Sequence, residues 1–419
     1  QPFAKEARST QFCSSGDFTN SCGDLVCPYF VMATVSMTDF LELQAKYDQL
    51  AQLISIQNKT ITENVATNAA AIGRTHRDMD SAYLVIMGGI VFFMQAGFSM
   101  LEAGCVGKKN VINILFKNIM DGSIAAVFFW LLGWGFAYGK TAGGFLGTTD
   151  FGLSKMYYGA GDDFTTDGYE LWFFQWAFAG TAATIVSGSV AERTKFEAYL
   201  LFSAICSAFI YPIVVHWGWG NGWLSKSAMP DEDDFFHPLL KGNQEDSNGL
   251  LDFGGSGVVH MLGGFSGLCG AIAVGPRLGR FDLDGKTLPL PGHNTTMMAL
   301  GTAILWFGWY GFNCGSTLAI SNGAAQVAGK VAVTTTISGA SGCLMATVVG
   351  RIFEKTFDIG IALNGILAAL VGITAGCAVV EPWSAFLIGC TAAWIYYGAH
   401  CLLLRLQIDD PLDAFPIHG

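Results

Sequence analysis

The sequence contains few charged residues. Asp, Glu, Lys and Arg make up only 13% of its 419 residues, whereas soluble domains contain about a quarter. Hydrophobic residues account for 52% and the mean hydropathy is +0.42. This balance argues against a soluble globular protein, and the lack of a basic patch argues against nucleic-acid binding.

Sequence motifs for catalysis are also missing. The chain has no GxSxG, no Walker motif, no HExxH, and no GxGxxG followed by an acidic residue at dinucleotide spacing. These absences exclude the common covalent and cofactor-dependent enzyme classes, so we expect no enzyme activity, no cofactor and no metal.

Long apolar runs are abundant and are rich in glycine, of which the chain has 53. Small residues allow helices to approach closely within a bilayer. The sequence therefore predicts an all-α polytopic membrane protein. The nine predicted spans cover residues 82–101, 122–138, 171–190, 198–217, 253–275, 297–314, 331–350, 359–380 and 382–404, and a tenth begins at Pro411.

One spacing occurs twice, an Asp followed eight residues later by a His: Asp252 to His260, and Asp410 to His418. About five spans lie between the two copies, so the copies enter the bilayer from opposite faces, as in inverted-repeat transporters. A helix that begins at the Asp carries the His roughly 12 Å deeper, near the midplane. Buried ionisable groups there are costly, and we expect the two histidines to line a path for a small polar solute.

The loops predict the orientation. Positive residues, including Lys108, Lys109, Lys117, Arg193 and Arg277, concentrate in loops after odd-numbered spans. The positive-inside bias makes these loops cytoplasmic and the N-terminus external. Much of the net charge of -11 then lies on the outer face, including the acidic run at 231–234.

The first 80 residues differ from the rest, which divides the chain into an extension (1–80) and a membrane domain (81–419). Gln1 is not an initiator Met, so we expect a preceding segment to have been removed. Cys13, Cys22 and Cys27 are close enough for two of them to pair, in a pairing that the sequence does not specify; zinc binding is the weaker alternative because there is no CxxC.

Apolar residues also fall on a heptad frame in this extension, with interruptions at Gln57 and Asn64. The pattern predicts an amphipathic helix, either in a coiled coil or lying on the outer membrane face. The residues on the frame are Phe40, Leu43, Tyr47, Leu50, Ile54, Ile61 and Asn68.

From Tyr83 to the C-terminus the chain resembles the Amt/Mep/Rh ammonium transporters, most closely the eukaryotic, plant-type Amt branch. Eight runs carry the resemblance, in order and at the family's spacings. They are EAGCVGKKN (102–110), FQWAFAGTA (174–182), SGSVAERTKF (187–196), YPIVVHWGWGNGWL (211–224), DFGGSGVVHMLGG (252–264), GPRLGRF (275–281), WFGWYGFNCGS (306–316) and DDPLDAFPIHG (409–419).

The resemblance implies an eleven-helix fold, with an inverted five-helix repeat around a central pore in each subunit of a plasma-membrane homotrimer. It implies a path for ammonium and ammonia, in contact with the lipid bilayer and without nucleic-acid partners. An external N-terminus agrees with this placement. Because the chain ends one residue after the second His, we expect it to be truncated in the tenth helix, without the eleventh helix and the tail.

The same resemblance implies roles for individual residues. An outer vestibule would bind the cation through Trp219, Phe178 and Ser316, supported by Gln175. Asp252 would act at the mouth, although an Asp at a helix start is equally suited to capping. Phe178 and Phe312 would gate the pore, and His260 and His418 would line it. A buried Phe or an interfacial Trp is otherwise an ordinary structural residue.

Two functions remain open at the level of sequence. Transport of ammonium or ammonia is the leading one. The alternative is an ammonium sensor with little flux, which would use the same recognition residues.

Overall fold

The computed structural model describes residues 36–154, 156, 168–225 and 249–419. Cys13, Cys22, Cys27 and the acidic run at 231–234 lie outside the described residues. The chain divides into two units, the first ending at Ala69 and the second covering Ala70–Gly419.

Helices dominate the described residues, and the predicted helical fold is confirmed. A short hairpin pairs β1 (Thr141–Ala142) with β2 (Leu146–Gly147). The ten helices are α1 (Met37–Cys105), α2 (Lys108–Tyr138), α3 (Tyr169–Ser189), α4 (Phe196–Gly218), α5 (Ser256–Val274), α6 (Thr295–Gly315), α7 (Ala324–Phe353), α8 (Ile359–Thr374), α9 (Pro382–Arg405) and α10 (Ala414–His418).

Each predicted apolar run coincides with one of these helices. Within the described residues, six helices are long and apolar enough to span a membrane: α1, α2, α4, α5, α7 and α9. Helix α8 is apolar but has only 16 residues. Helices α3 and α6 have 21 residues each; they also carry polar residues and, as described below, contribute to the candidate site.

The prediction that the second span begins at Gly122, with Lys117 in the preceding loop, is wrong. The first turn of α2 begins at Lys108, and Lys117 is fully buried inside the helix. Asp121 is also fully buried there. A hydropathy pattern ends a span at such charges, whereas the folded protein accommodates them against neighbouring helices.

Glycines set how closely the helices of the second unit approach. A Cβ added at Gly301 of α6 would lie 2.3 Å from the backbone nitrogen of Leu101 in α1. A Cβ added at Gly365 of α8 would lie 2.2 Å from Cβ of Ala346 in α7. These contacts agree with the expectation that small residues allow close packing.

Helices α5 and α10 both begin after a residue in the left-handed region. Gly255 precedes α5 with a φ of 103°, and Asp413 precedes α10 with a φ of 55°. Each of these residues lies three positions after the Asp of the repeated spacing. The two copies therefore share a backbone turn as well as their side chains.

Candidate functional site

A cavity of about 610 Å³ opens among α3, α4 and the segment before α5. Trp219, Phe178, Ser316 and Gln175, four of the residues predicted for a vestibule, all line it. The other lining residues are Tyr138, Leu171, Phe174, Gly218, Gly220, Asn221, Ser225, Leu250, Phe253 and Leu318. The lining combines aromatic faces with a few polar groups, a composition suited to a small cation.

Trp219 follows the last turn of α4 and is held by its own ring nitrogen. Its Nε1–H donates to the carbonyl oxygen of Asp252 at 2.8 Å. This hydrogen bond fixes the indole against the segment that precedes α5. The ring meets Phe178 edge to face, with 6.1 Å between centroids. One hydrogen bond thus orients the indole, which lines the cavity.

Polar atoms at the cavity have spare acceptor capacity. Ser316 Oγ donates to the carbonyl oxygen of Phe312 at 2.8 Å, so its lone pairs remain able to accept. Oε1 of the buried Gln175 has no hydrogen-bond partner among the described residues. Both oxygens can accept a hydrogen bond from an ammonium N–H.

Two stacked rings lie next to the cavity. Phe178 of α3 and Phe312 of α6 are buried, with centroids 4.0 Å apart and planes inclined by 26°. These are the two residues that the family resemblance assigns to a gate. Their separation leaves no room for a solute between the rings in this conformation.

The two histidines of the repeated spacing meet beyond the Phe pair. Nδ1 of His260 lies 3.2 Å from Nδ1 of His418, and the ring planes are inclined by 13°. His260 also contacts Phe312, with centroids 5.2 Å apart. Because an Nδ1 to Nδ1 hydrogen bond requires one donor and one acceptor, the two imidazoles differ in tautomer or protonation.

The aspartates of the two copies cap the helices that carry these histidines. The Asp252 carboxylate accepts hydrogen bonds from the backbone amides of Gly255, Gly257 and Val258 at 2.8–3.0 Å. It is buried and is not among the residues that line the cavity. The structure therefore shows its capping role directly, and direct cation binding stays a prediction.

The second aspartate caps in a similar way. Asp410 Oδ2 accepts from the backbone amide of Phe415 at 2.8 Å and from the Ser189 hydroxyl at 3.2 Å. The cap fixes the start of α10, and the Ser189 bond ties it to α3. The depth of His418 thus depends on two helices.

Sequence reasoning missed Trp309. This fully buried ring stacks on His260 with a centroid distance of 5.0 Å, and its Nε1–H donates to Thr374 Oγ1 at 2.8 Å. The available signal was its spacing, one helical turn before Phe312. That spacing alone does not separate a pore wall from an ordinary core residue.

His216 is buried in α4. Its Nδ1 lies 2.9 Å from the carbonyl oxygen of Ala137, and its Nε2 lies 2.9 Å from Thr141 Oγ1. Both ring nitrogens are thus occupied by α2 and the β hairpin. This arrangement fixes α4 close to the position of Trp219.

A charged network joins three loops outside the spans. Arg277 donates to both carboxylate oxygens of Asp409 at 2.7 and 3.0 Å and to Glu192 at 2.7 Å. Burial opposes ionisation of Asp409, but the hydrogen bonds from Arg277 prevail and lower the pKa of that carboxyl. The pKa of Glu192 is lowered in the same way, against burial, by Arg277 and the amide of Gly107.

The chain is similar in sequence to known ammonium transporters. Residues 82–419 match the Ammonium Transporter Family. The chain is 44% identical over 341 residues to Ammonium transporter Amt2 of Archaeoglobus fulgidus, covering 81% of this chain and 69% of that protein. It is also 44% identical over 351 residues to Ammonium transporter 1 member 1 of Oryza sativa subsp. japonica, covering 81% and 67%.

Solved structures agree. A protein titled Sensor Amt Protein matches with a TM-score of 0.74 and 34% identity, covering 83% of this chain and 80% of that one. Candida albicans Mep2 matches with a TM-score of 0.69 and 27% identity, covering 82% and 70%. The predicted family is confirmed: the chain belongs to the Amt/Mep/Rh ammonium transporter family, on its plant-type branch.

Proposed function

We propose that this protein moves ammonium across the membrane by recruiting the cation in the aromatic cavity and passing ammonia along a narrow path lined by two histidines. Membership of the ammonium transporter family supports the substrate. The path rests on one observation, an unbroken series of ring contacts. From Trp219 the series runs through Phe178, Phe312 and His260 to His418.

Recruitment uses the π face of Trp219. An aromatic ring within about 6 Å of a cation contributes roughly 2 kcal/mol or more when the site is desolvated. Ser316 Oγ accepts one ammonium N–H, and Gln175 Oε1 supplies a second acceptor. A bare alkali cation has no hydrogen to donate to these oxygens, so the cavity favours ammonium once hydration water is removed.

The Phe pair separates the charged species from the pore. Moving a bare cation into an apolar, water-poor passage is prohibitive, whereas neutral ammonia is a small polar molecule. Ammonium therefore transfers its proton to water before or during passage between Phe178 and Phe312, and the proton crosses on a separate route. The stacked rings must part for each transfer, because they are in contact in the resting structure.

The histidines supply the polar lining beyond the gate. His260 Nε2 is buried and has no hydrogen-bond partner among the described residues. Since its Nδ1 is engaged with His418, this nitrogen is available to ammonia. An imidazole pair can exchange donor and acceptor roles, which suits both ammonia relay and proton transfer on a separate route.

The proposal includes the cellular location, the assembly and the domains of the protein. The protein lies in the plasma membrane as a homotrimer, in contact with lipid and with one pore in each subunit. Residues 1–80 form an external extension, and residues 81–419 form the transport domain.

Flux into liposomes tests the proposal through a double-mutant cycle. We expect His260→Ala and His418→Ala each to reduce ammonium transport sharply or to change its charge coupling. The double variant should lose little more than the worse single variant, because each histidine acts through the other. Contacting residues typically couple by about 0.5–3 kcal/mol.

His293→Ala is the matched control, since His293, in the loop before α6, contacts the backbone carbonyl of Val106 and lies outside the path. It should transport normally. Thermal unfolding of every variant separates loss of function from loss of fold. Normal flux and selectivity in both folded single variants would exclude the histidine path.

Ammonium sensing is the second candidate, and the similarity to Sensor Amt Protein supports it. A sensor would bind ammonium in the same cavity with little flux. Saturable ammonium binding to wild-type protein whose liposomes show no flux above that of protein-free liposomes would favour this alternative over transport.

A further inference from the structure

Three ionisable side chains are buried away from the proposed path. Glu102 near the end of α1 has 1% of its surface exposed, and Lys117 and Asp121 in α2 have none. None of them lines the cavity or contacts the histidines in the described structure. Charged groups at such positions are costly and call for a specific account.

The two carboxyls are held by hydroxyl groups. Glu102 Oε2 accepts from the Ser187 hydroxyl of α3 at 2.8 Å. Asp121 Oδ2 accepts from the Tyr199 hydroxyl of α4 at 2.6 Å and from Thr184 of α3 at 3.3 Å. Four helices therefore converge on this cluster, and every donor is a neutral group.

The cluster also contains atoms with no partner. Among the described residues, neither Lys117 Nζ nor Asp121 Oδ1 has a hydrogen bond. Lys117 Nζ lies 4.9 Å from the centroid of the Tyr199 ring, a cation–π contact. The ammonium thus faces the same group that donates to Asp121.

Other charges do not compensate the cluster. Arg193 is the further cation near Lys117, but its guanidinium donates to the backbone carbonyls of Gly275, Ala191, Ser189 and Asp409. It serves the loop network described above. The local count is therefore two carboxyls against one ammonium.

If all three groups were ionised, the cluster would carry one uncompensated negative charge. Burying such a charge costs several kcal/mol, whereas a carboxylate beside an ammonium is neutral as a pair. One bound proton on either carboxyl removes the excess. We propose that Glu102, Lys117 and Asp121 form a proton-binding site in which one of the two carboxyls holds an exchangeable proton.

The site lies beside the segment of α3 that also contacts α10. Ser187, which donates to Glu102, lies two residues before Ser189, which donates to Asp410. Asp410 caps α10, the helix that carries His418. The same segment of α3 therefore contacts both the buried carboxyl cluster and the cap of the helix that carries the second histidine.

Infrared difference spectroscopy of the full chain in detergent tests the site. Acid-minus-alkaline spectra of the wild type should contain a protonated carboxyl C=O band that moves in D2O. Glu102→Gln and Asp121→Asn should each remove this band, because one remaining carboxylate then balances Lys117. Lys117→Met should double its intensity, because both carboxyls then bind protons.

Controls separate this site from other carboxyls and from misfolding. Glu63→Gln, on the exposed face of α1, should leave the band unchanged. Ser187→Ala and Tyr199→Phe remove one hydroxyl each and should shift the frequency of the same band without removing it. If no protonated carboxyl band responds to the substitutions at Glu102, Asp121, Ser187 and Tyr199, neither carboxyl exchanges a proton and the proposal is wrong.

Discussion

Trp219 combines two interactions that different parts of one ring provide. The indole N–H holds the carbonyl oxygen of Asp252, at the start of the loop that leads into α5. The indole also lines the cavity, together with Phe178 and Ser316. A side chain without the π face would lose the contact with the cation. A side chain without the N–H would lose the hydrogen bond that holds the ring.

Trp219→Leu should weaken apparent ammonium affinity by about 30-fold, which corresponds to roughly 2 kcal/mol of cation–π energy. Selectivity against potassium should fall with it, because without the ring the cation is no longer held next to the Ser316 and Gln175 oxygens, to which only ammonium donates hydrogen bonds. Competition between the two ions in liposomes measures both effects. Trp383→Leu removes an exposed Trp of α9 and should change neither; equal effects of the two substitutions would contradict the assignment.

Gly264 tests the position of His418 without altering either imidazole. A Cβ added to Gly264 of α5 would lie 2.4 Å from the backbone nitrogen of Gly419 and 2.7 Å from the carbonyl carbon of His418. Gly264→Ala must therefore displace α10, and misplacement by about 1 Å can cost up to about 100-fold in rate. We expect ammonium flux to fall within this range.

Gly398→Ala in α9 is the control for that substitution, because its Cβ would meet nothing within 4 Å. It should keep full flux and gain roughly 0.5–1 kcal/mol of stability from lower backbone entropy. Full flux in the Gly264 variant would show that the exact depth of His418 is unimportant.

Individual residues show which features of the candidate site can be predicted from the sequence. The Asp-to-His spacing predicted two histidines near each other, and the structure brings them within hydrogen-bonding distance. Trp309 left no comparable signal, since a buried Trp beside a buried His looks like core in one sequence. The choice between capping and cation binding at Asp252 required coordinates, because both use the same carboxylate at the same place.

At the scale of helices, hydropathy predicted the existence of the spans better than their ends. Helix α2 shows why, because Lys117 and Asp121 interrupt an apolar run and a window average ends there. In the fold these side chains are buried against α3 and α4, so the helix continues. A local sequence pattern does not show that a charged side chain will be buried against helices that are distant in sequence.

The network of Arg277, Asp409 and Glu192 connects helices through their loops, and it should carry pH dependence. The folded pKa of Asp409 is below its usual value. Its stabilisation is therefore complete above the unfolded pKa, about 3.9, and is lost as pH falls through the folded pKa. Asp409→Asn should cost about 3–5 kcal/mol near neutral pH, because it leaves Arg277 buried without its main partner.

Thermal unfolding in detergent between about pH 6 and 3 measures this effect. The variant should lose part of the wild-type acid dependence, with Glu192 providing the rest. Glu381→Gln is the control, since its pair with Lys330 is exposed and worth less than about 1 kcal/mol. Similar losses in the two variants would show that burial of the network has no energetic consequence.

At the scale of the whole molecule, we expect the exposed part of α1 to pack against another surface. From Met37 to Ala69 the helix is exposed throughout, including Leu43 at 67% and Tyr47 at 68%. Its apolar residues keep a seven-residue frame, whereas a straight helix drifts by about 20° per heptad. The frame extends over four heptads, with Gln57, Asn64 and Asn68 as its polar positions, and favours a supercoil over a helix lying on a flat surface.

Charge supports the same conclusion. Helices that bind membrane surfaces carry Lys and Arg on the polar face, but this segment has two Lys against four acidic residues, a net charge of -2. The two ion pairs of the helix, Lys46 with Glu42 and Lys59 with Glu63, lie off the apolar frame. We therefore expect copies of the segment to associate in parallel, with Gln57 and Asn64 as polar layers that set the register.

Cysteine cross-linking of the full chain decides between the two arrangements. In a background with Cys13, Cys22 and Cys27 changed to Ser, Ile54→Cys lies on the apolar frame and Gln52→Cys on the opposite face. Mild oxidation should link Ile54→Cys into covalent dimers rapidly and leave Gln52→Cys largely unlinked, because only the seam brings equivalent residues of parallel helices together. A helix lying on the membrane would place Ile54 in lipid, away from its equivalent in another copy, so equal cross-linking at both positions, or none at Ile54, would exclude the coiled coil.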